Sequence, residues 1–190
     1  MSRWEPNTRE RLLDAALDLF GERGYDTVTV AEIAERAGLT KRTFFRHFSD
    51  KREVLFAGQD ELSRIFAEAI ADAPASATPI EAVAAALKAG AAPFGPQRRD
   101  RARQVQSVVA GHRDLRERAL LKRATLRAAV ADALLARGVP DPTAGLAAEI
   151  GGLAFTTGFD RWVAPGSERE FADLVREAFD ELLAATATLG

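Results

Sequence analysis

Apolar residues in the first fifty positions recur at the spacings of short helices. Between residues 8 and 21 they stand at intervals of four, three and one, which places them on one helix face: Leu12, Ala16, Leu19 and Phe20. The segment Thr29-Val30-Ala31-Glu32 has the pattern of a capping box and predicts the start of a second helix, which Gly38 ends. Leu39 and Thr40 lead into a third short helix that is predicted to end near Phe48.

Beyond residue 50 the pattern stays helical. Asp50 and Glu53 form another capping pattern, which predicts one long helix from 50 to 71. The later helices are predicted at 79–90, 97–109, 114–137 and 141–163, with a last helix capped by Ser167 and Glu170. No segment alternates with period two, so no sheet is expected. The pattern predicts an all-α fold of about nine helices, with an N-terminal three-helix domain at 1–50 and a helical bundle at 51–190.

Residues 29–48 form two short helices around a tight turn at Gly38, the length of a helix-turn-helix unit. Phe44 and Phe48 share the side of the second helix that is best buried. From Lys41 to Phe48 there is no acidic residue, whereas a solvated surface helix normally mixes both charges. The charge pattern favours phosphate contacts and a helix in the major groove of DNA, with an ordinary solvated face as the alternative.

Residues 8–55 resemble the DNA-binding domain of the TetR family of bacterial repressors. The resemblance rests on the string from Ala37 to Lys51, AGLTKRTFFRHFSDK, and on the spacing of the apolar residues before it. The family pattern has a hydroxylated cap at Thr40, a core residue at Phe44 and a lysine at Lys51. The resemblance implies a dimeric repressor that binds a palindromic operator on double-stranded DNA and is released by a small-molecule ligand. It also implies a homodimer through the last two helices and a ligand cavity among the middle helices.

The resemblance and the helix stripes together predict the residues that contact DNA. Lys41, Arg42 and Thr43 are expected near base edges, and Arg42 is a candidate guanine reader. Phe45 stands where the family often has tyrosine; it cannot donate to a phosphate and is expected against a thymine methyl or a sugar. Phosphate contacts are expected from Thr40, His47 and Lys51. The full predicted set is Thr29, Thr40, Lys41, Arg42, Thr43, Phe45, Arg46, His47 and Lys51.

The remainder of the chain gives weaker signals for a dimer and a pocket. The predicted helix at 141–163 contains glycines at 145, 151, 152 and 158, which is compatible with close approach of another helix, in a dimer or within the chain. Phe155, Phe159 and Trp162 form one aromatic stripe, which is either core or ligand site. The arginines at 98, 99, 101 and 103 indicate a solvated face or an anionic ligand such as an acyl-CoA. The predicted pocket residues are Phe66, Gln104, Val105, Val108, His112, Leu126, Phe155, Phe159 and Trp162, for an apolar or amphipathic effector of unknown identity.

Composition and charge exclude several other classes. The formal net charge of −2 requires any DNA-binding surface to be a local patch. With no cysteine and only two distant histidines, we expect no metal site and no His-based catalytic triad, and therefore no enzyme and no cofactor. No signal peptide or membrane-length apolar run is present, so a cytoplasmic protein is expected. The alternative function is a helical small-molecule carrier whose helix-turn-helix is vestigial.

Overall fold

The computed structural model describes residues 8–188, and these form nine α-helices and no strand, which confirms the predicted all-helical fold. Two short 3₁₀ turns, Arg52–Phe56 and Pro96–Arg98, interrupt the series. The helices are α1 Thr8–Arg23, α2 Val30–Arg36, α3 Lys41–His47, α4 Gln59–Ala71, α5 Pro79–Ala91, α6 Arg99–Gly111, α7 Arg113–Ala136, α8 Asp141–Val163 and α9 Phe171–Ala187.

The described chain packs as two compact units. The first unit combines the segment up to Gly58 with Gln104–Ala119, which is the corner between α6 and α7. The second unit combines Gln59–Arg103 with the chain from Leu120 onward. The sequence analysis divides the chain by function, into a DNA-binding domain at 1–50 and a helical bundle at 51–190. That division stays a prediction.

Local sequence signals build the first unit. The predicted capping box at α2 is present: the Thr29 hydroxyl accepts from the Glu32 N–H at 3.3 Å, and the Glu32 carboxylate accepts from the Thr29 N–H at 2.8 Å. Gly38 has a φ of +67° and ends α2, with the Leu39 N–H donating to the Ala34 carbonyl at 2.8 Å. This six-to-one bond is a Schellman motif, in which glycine takes the left-handed position at little steric cost.

The predicted single helix at 50–71 is wrong. Asp50 caps only the 3₁₀ turn, because its carboxylate accepts from the Arg52 N–H at 2.8 Å and the Glu53 N–H at 3.3 Å. Ala57 then leaves the helical region with ψ near +40°, and α4 begins at Gln59. Val54, Leu55 and Phe56 are buried in the core of the first unit, so the break coincides with the change from one unit to the other.

Small residues build the second unit. Gly158 of α8 lies so close to α9 that a Cβ there would be 2.6–2.8 Å from atoms of Val175, including its backbone. Gly151 similarly leaves room for the Val83 side chain of α5. Within the chain, close helix packing therefore accounts for these two glycines.

The predicted start of the last helix at Ser167 is also wrong. The α9 helix begins at Phe171, and Glu170 precedes it without a side-chain cap. Arg99 donates to the carbonyls of Ser167 and Arg169 and so holds this non-helical segment before the helix. Among the described helices, none has the length and apolar character needed to cross a membrane.

Candidate nucleic-acid interface

Two buried phenylalanines anchor α3 in the first unit. Phe44 is fully buried and Phe48 nearly so, and their ring centroids are 5.5 Å apart. Both belong to the core that α1 and α2 also form, as the sequence predicts. A helix of seven residues is unstable in isolation, so its orientation depends on these two contacts and its cap.

The opposite face of α3 is exposed and cationic. Lys41, Arg42, Phe45 and Arg46 occupy two adjacent stripes of the helix, and all four are exposed. Phe45 is 49% exposed, and the Lys41 ammonium lies 5.9 Å from its ring centroid. Within residues 8–188, none of the three cations forms an ion pair. The face therefore presents uncompensated positive charge beside an exposed aromatic ring.

Thr40 and Thr43 are joined at the start of α3. The Thr40 hydroxyl accepts from the Thr43 N–H at 3.1 Å, and the two hydroxyl oxygens are 3.0 Å apart. Thr40 thus acts as the N-cap of the helix. Its predicted phosphate contact and the predicted base contact of Thr43 stay predictions.

His47 lies half-buried at the edge of the exposed face. Burial lowers the pKa of its imidazole, and the nearby charges of Arg46 and Arg9 lower the pKa further. Its Nε2 atom is buried and has no hydrogen-bond partner among the residues that the structure describes. The phosphate contact that the sequence predicts for His47 stays a prediction.

Lys51 and Thr29 lie outside this face and make structural contacts. The Lys51 ammonium donates to the carbonyls of Tyr25 at 2.7 Å and Val28 at 2.9 Å, and it lies 4.3 Å from the Tyr25 ring centroid. Burial lowers the pKa of Lys51. Lys51 therefore connects the α1–α2 loop to the first 3₁₀ turn, and its phosphate contact stays a prediction.

Sequence reasoning missed Arg11, which supports the turn before α3. Its guanidinium donates to the Ala37 carbonyl at 2.6 Å, and a Cβ at Gly38 would lie 3.3 Å from the same group. Arg11 and Ala37 are 26 residues apart. No local pattern indicates a contact of that separation.

The structure divides the nine predicted pocket residues between the two units. Phe66, Leu126, Phe155 and Trp162 are buried in the core of the second unit, and Phe159 packs against that core. The other four predicted residues, Gln104, Val105, Val108 and His112, belong to the first unit. There Val105 and Val108 pack against its core, and the His112 ring contacts the Tyr25 ring with centroids 4.7 Å apart and planes tilted by 55°.

An aromatic cluster occupies the second unit around Trp162. Phe94, Phe159 and Phe171 have ring centroids 5.9, 6.0 and 5.2 Å from that of Trp162. The Trp162 Nε1 donor is buried and has no partner within the described chain. The Arg99 guanidinium lies 5.5 Å from the Trp162 ring centroid, and its Nε is also buried and unpartnered there.

Two arginines of the basic run hold the end of α8. Arg103 donates to the carbonyls of Val163 and Ala164 at 2.9 Å, and Arg99 donates to the loop that follows. Cationic side chains stabilise the exposed carbonyls at a helix C-terminus. These two arginines therefore act in the fold of the second unit and are not merely a solvated face.

Comparison with known proteins agrees with this geometry. Residues 12–57 match the family described as bacterial regulatory proteins, tetR family. The HTH-type transcriptional regulator TcmR of Streptomyces glaucescens is 39% identical over 82 residues, 43% of this chain and 36% of that protein. The regulator BetI of Rhizobium meliloti is 36% identical over 85 residues, 44% of this chain and 42% of that protein. The chain thus spans about two fifths of the length of these relatives.

Solved structures match the whole chain at lower identity. A TetR-family transcriptional regulator from Syntrophomonas wolfei has a TM-score of 0.63 over 95% of both chains, with 18% identity. Another from Mesorhizobium loti has a TM-score of 0.55 over 98% of both chains, with 19% identity. At these identities the likeness concerns the fold. Residues 12–57 are therefore similar to the DNA-binding domain of the TetR family, and the helices of the chain follow the fold of TetR-family regulators.

Proposed function

We propose that this protein is a sequence-specific DNA-binding transcription regulator, a homodimeric repressor that a small amphipathic ligand releases from a palindromic operator. The observation that carries the proposal is the exposed face of α3, where Lys41, Arg42 and Arg46 surround Phe45 without an ion pair in the described chain. The aligned relatives, which share this N-terminal region, are named as transcriptional regulators.

The proposed contacts divide into two kinds. Lys41, Arg42 and Thr43 face base edges, with Arg42 reading guanine and Phe45 touching a thymine methyl. Arg46 neutralises a phosphate, His47 donates a hydrogen bond to another, and both fix the position of the helix. In a dimer, two α3 helices must meet successive major grooves about 34–36 Å apart.

The DNA-binding test uses duplexes selected from a random pool by the purified protein, and DNA flanking its own gene. The double variant Lys41→Ala, Arg42→Ala is expected to bind the selected duplex at least about 30-fold more weakly, since each lost base contact contributes about 1–3 kcal/mol. Its dependence on salt should also become less steep. Arg123→Ala, which removes an exposed cation from α7, serves as the matched control and should keep the affinity.

Two outcomes would contradict the proposed regulatory function or its site. Unchanged affinity of the double variant would move the DNA contact away from α3. A selection that finds no preferred duplex would instead favour the carrier with a vestigial helix-turn-helix.

The effector is proposed to bind at the aromatic cluster of the second unit. Buried tryptophan N–H groups are normally hydrogen-bonded, and an unmet buried donor destabilises a fold by about 1–3 kcal/mol. An apolar ligand with an oxygen acceptor would contact the Phe94 and Phe171 rings and accept from Trp162 Nε1 and Arg99 Nε. Ligand binding that favours a different dimer spacing would then lower DNA affinity.

Matched probes test this ligand class. Laurate and dodecyltrimethylammonium have the same alkyl chain, but only laurate has an acceptor. Lauroyl-CoA is a third probe, because the structure of Thermus thermophilus FadR, with a TM-score of 0.52 to this chain, is a complex with it. Laurate or lauroyl-CoA should release the protein from its operator, and dodecyltrimethylammonium should not. The Trp162→Phe variant should respond to all three compounds alike. If dodecyltrimethylammonium released the natural protein from its operator equally well, the proposed role of Trp162 Nε1 and Arg99 Nε would be contradicted.

A further inference from the structure

The Phe45 side chain is an exception on the surface of the first unit. Among the described residues of that unit, it is the one large apolar side chain that is exposed. Of the four exposed residues of α3, it is also the one whose side chain has no polar atom. Exposed apolar surface gains free energy when a partner covers it, so the partner of α3 should offer an apolar group at this point.

Two contacts hold the Phe45 ring in place. Its centroid lies 5.6 Å from that of Phe44, with the two planes at 80°, which is an edge-to-face contact. Phe44 is fully buried, so this contact connects the ring to the core of the first unit. On its other side, the Lys41 ammonium lies 5.9 Å from the Phe45 centroid. The ring therefore presents its exposed surface in a fixed orientation and loses little freedom on binding.

The major groove offers few apolar groups to such a ring. The edges of guanine, adenine and cytosine present hydrogen-bond donors and acceptors there, whereas thymine adds a methyl group on C5. Phe45 cannot accept from the amino group of cytosine or donate to the O4 atom of thymine. Its contact with a base edge is therefore limited to the methyl group. A 5-methylcytosine has the same methyl group on the same carbon.

Arg42 is the neighbour of Phe45 on the exposed face. The two residues are three apart, so their Cβ atoms lie about 5–6 Å apart on the helix surface. Successive base pairs of DNA are stacked about 3.4 Å apart, so the two side chains can reach adjacent base pairs. The Arg42 guanidinium has the geometry to donate to O6 and N7 of a guanine.

We propose that Phe45 recognises the C5-methyl group of a pyrimidine beside the guanine that Arg42 contacts, so that α3 binds thymine and 5-methylcytosine alike at this position. An operator with cytosine at this position would then gain affinity when that cytosine is methylated. The inference rests on the proposed DNA-binding function and adds a chemical modification of the DNA as a second input, beside the small-molecule ligand.

Modified duplexes test the proposal on the natural protein. Starting from the selected duplex, one position of each half-site carries thymine or uracil paired with adenine, or 5-methylcytosine or cytosine paired with guanine. Within each of the two pairs, the methyl group is the whole difference. A buried methyl group changes affinity about fourfold, or about 15-fold for two half-sites. By fluorescence anisotropy we expect thymine to exceed uracil, and 5-methylcytosine to exceed cytosine, by this same factor.

Variants of α3 assign the methyl preference to one side chain. Phe45→Ala should bring both ratios close to one, and Phe45→Tyr should keep them, since it retains the ring. Arg46→Ala is the matched control, because it removes an exposed cation from the same helix. It should weaken binding to all four duplexes and leave both ratios unchanged.

Three results would overturn the recognition of the methyl group. They are equal binding of uracil and thymine at every thymine of the selected half-site, a preference for thymine without one for 5-methylcytosine over cytosine, and ratios that persist in Phe45→Ala. Each of these results would leave the DNA-binding regulator standing. A protein that selects no duplex would instead remove the regulator, and the recognition of the methyl group with it.

Discussion

The two units of this protein position their helices by different physical means. In the first unit, α2 and α3 have seven residues each and depend on caps, a glycine turn and two buried phenylalanines. In the second unit, helices of 13–24 residues depend on close contact between backbones, as at Gly158. The first mechanism uses signals a few residues long, and the second uses surfaces far apart in sequence. Each can be broken by a single substitution.

The largest expected effect is in the first unit, at Phe44. Phe44→Ala should lower the free energy of unfolding by about 3–5 kcal/mol, because it opens a cavity beneath α3. DNA affinity should fall with it, since α3 loses its anchor. Phe45→Ala is the matched control: its ring is half-exposed, so stability should change by no more than about 0.5 kcal/mol while DNA affinity still drops. Urea unfolding and anisotropy separate the two, and equal destabilisation by both variants would show that α3 is not held by Phe44.

A somewhat smaller effect is expected in the second unit, at Gly158. Gly158→Ala forces a methyl group against the backbone of Val175 and should destabilise the protein by about 1–3 kcal/mol. Gly145→Ala, on the same helix with open space around it, should stabilise the protein by up to about 1 kcal/mol. Thermal unfolding of both variants gives the comparison. Stabilisation by Gly158→Ala would mean that α8 and α9 can separate freely.

The contrast between local signals and distant packing surfaces explains which helix starts the sequence predicts correctly. The starts of α2, α3 and α5 follow from Thr29, Thr40 and Thr78, whose hydroxyls accept the N–H groups expected of caps. The exposed face of α3 follows from its charge pattern. The start of α9 does not, because Ser167 is held by the distant Arg99 through a bond that spans 68 residues.

The candidate sites also depend on contacts between residues far apart in sequence, which local patterns do not predict. The sequence places His112 and Val108 with the aromatic stripe, but the corner between α6 and α7 packs in the first unit through Leu115 and Tyr25. The unpartnered Trp162 Nε1 is likewise a property of packing, which no spacing of residues indicates.

The cap of α3 should have a smaller effect on stability but a clear one on binding. Thr40→Ala removes the acceptor for the Thr43 N–H and should destabilise the protein by about 1 kcal/mol. Thr78→Ala removes the equivalent cap from α5, a helix of 13 residues, and should change DNA affinity little. Thr40→Ser should restore both properties of α3. An equal loss of affinity from both alanine variants would show that the effect of Thr40 is not local to α3.

The smallest expected effect compares the capping boxes of the two units. Hydrogen bonds from the Thr29 hydroxyl and N–H, together with the Arg23 guanidinium at 2.7 Å, lower the pKa of Glu32 to about 2. Hydrogen bonds from Thr78 also lower the pKa of Glu81, but no cation among the described residues contributes to that shift. Because the folded state favours the ionised carboxylate, this stability is present above pH about 4.5 and is lost as the pH falls toward 2.

Over that pH range, Glu32→Gln should therefore flatten the dependence of unfolding free energy on pH more than Glu81→Gln does. Salt at about 1 M should reduce the difference between the two variants, because it screens the exposed Arg23–Glu32 pair and leaves the hydrogen bonds to the threonines in place. Equal flattening by the two variants at low salt would show that Arg23 adds nothing to the first box. The two units would then hold their helix starts by hydrogen bonds alone, and they would differ only in what lies beneath the helices.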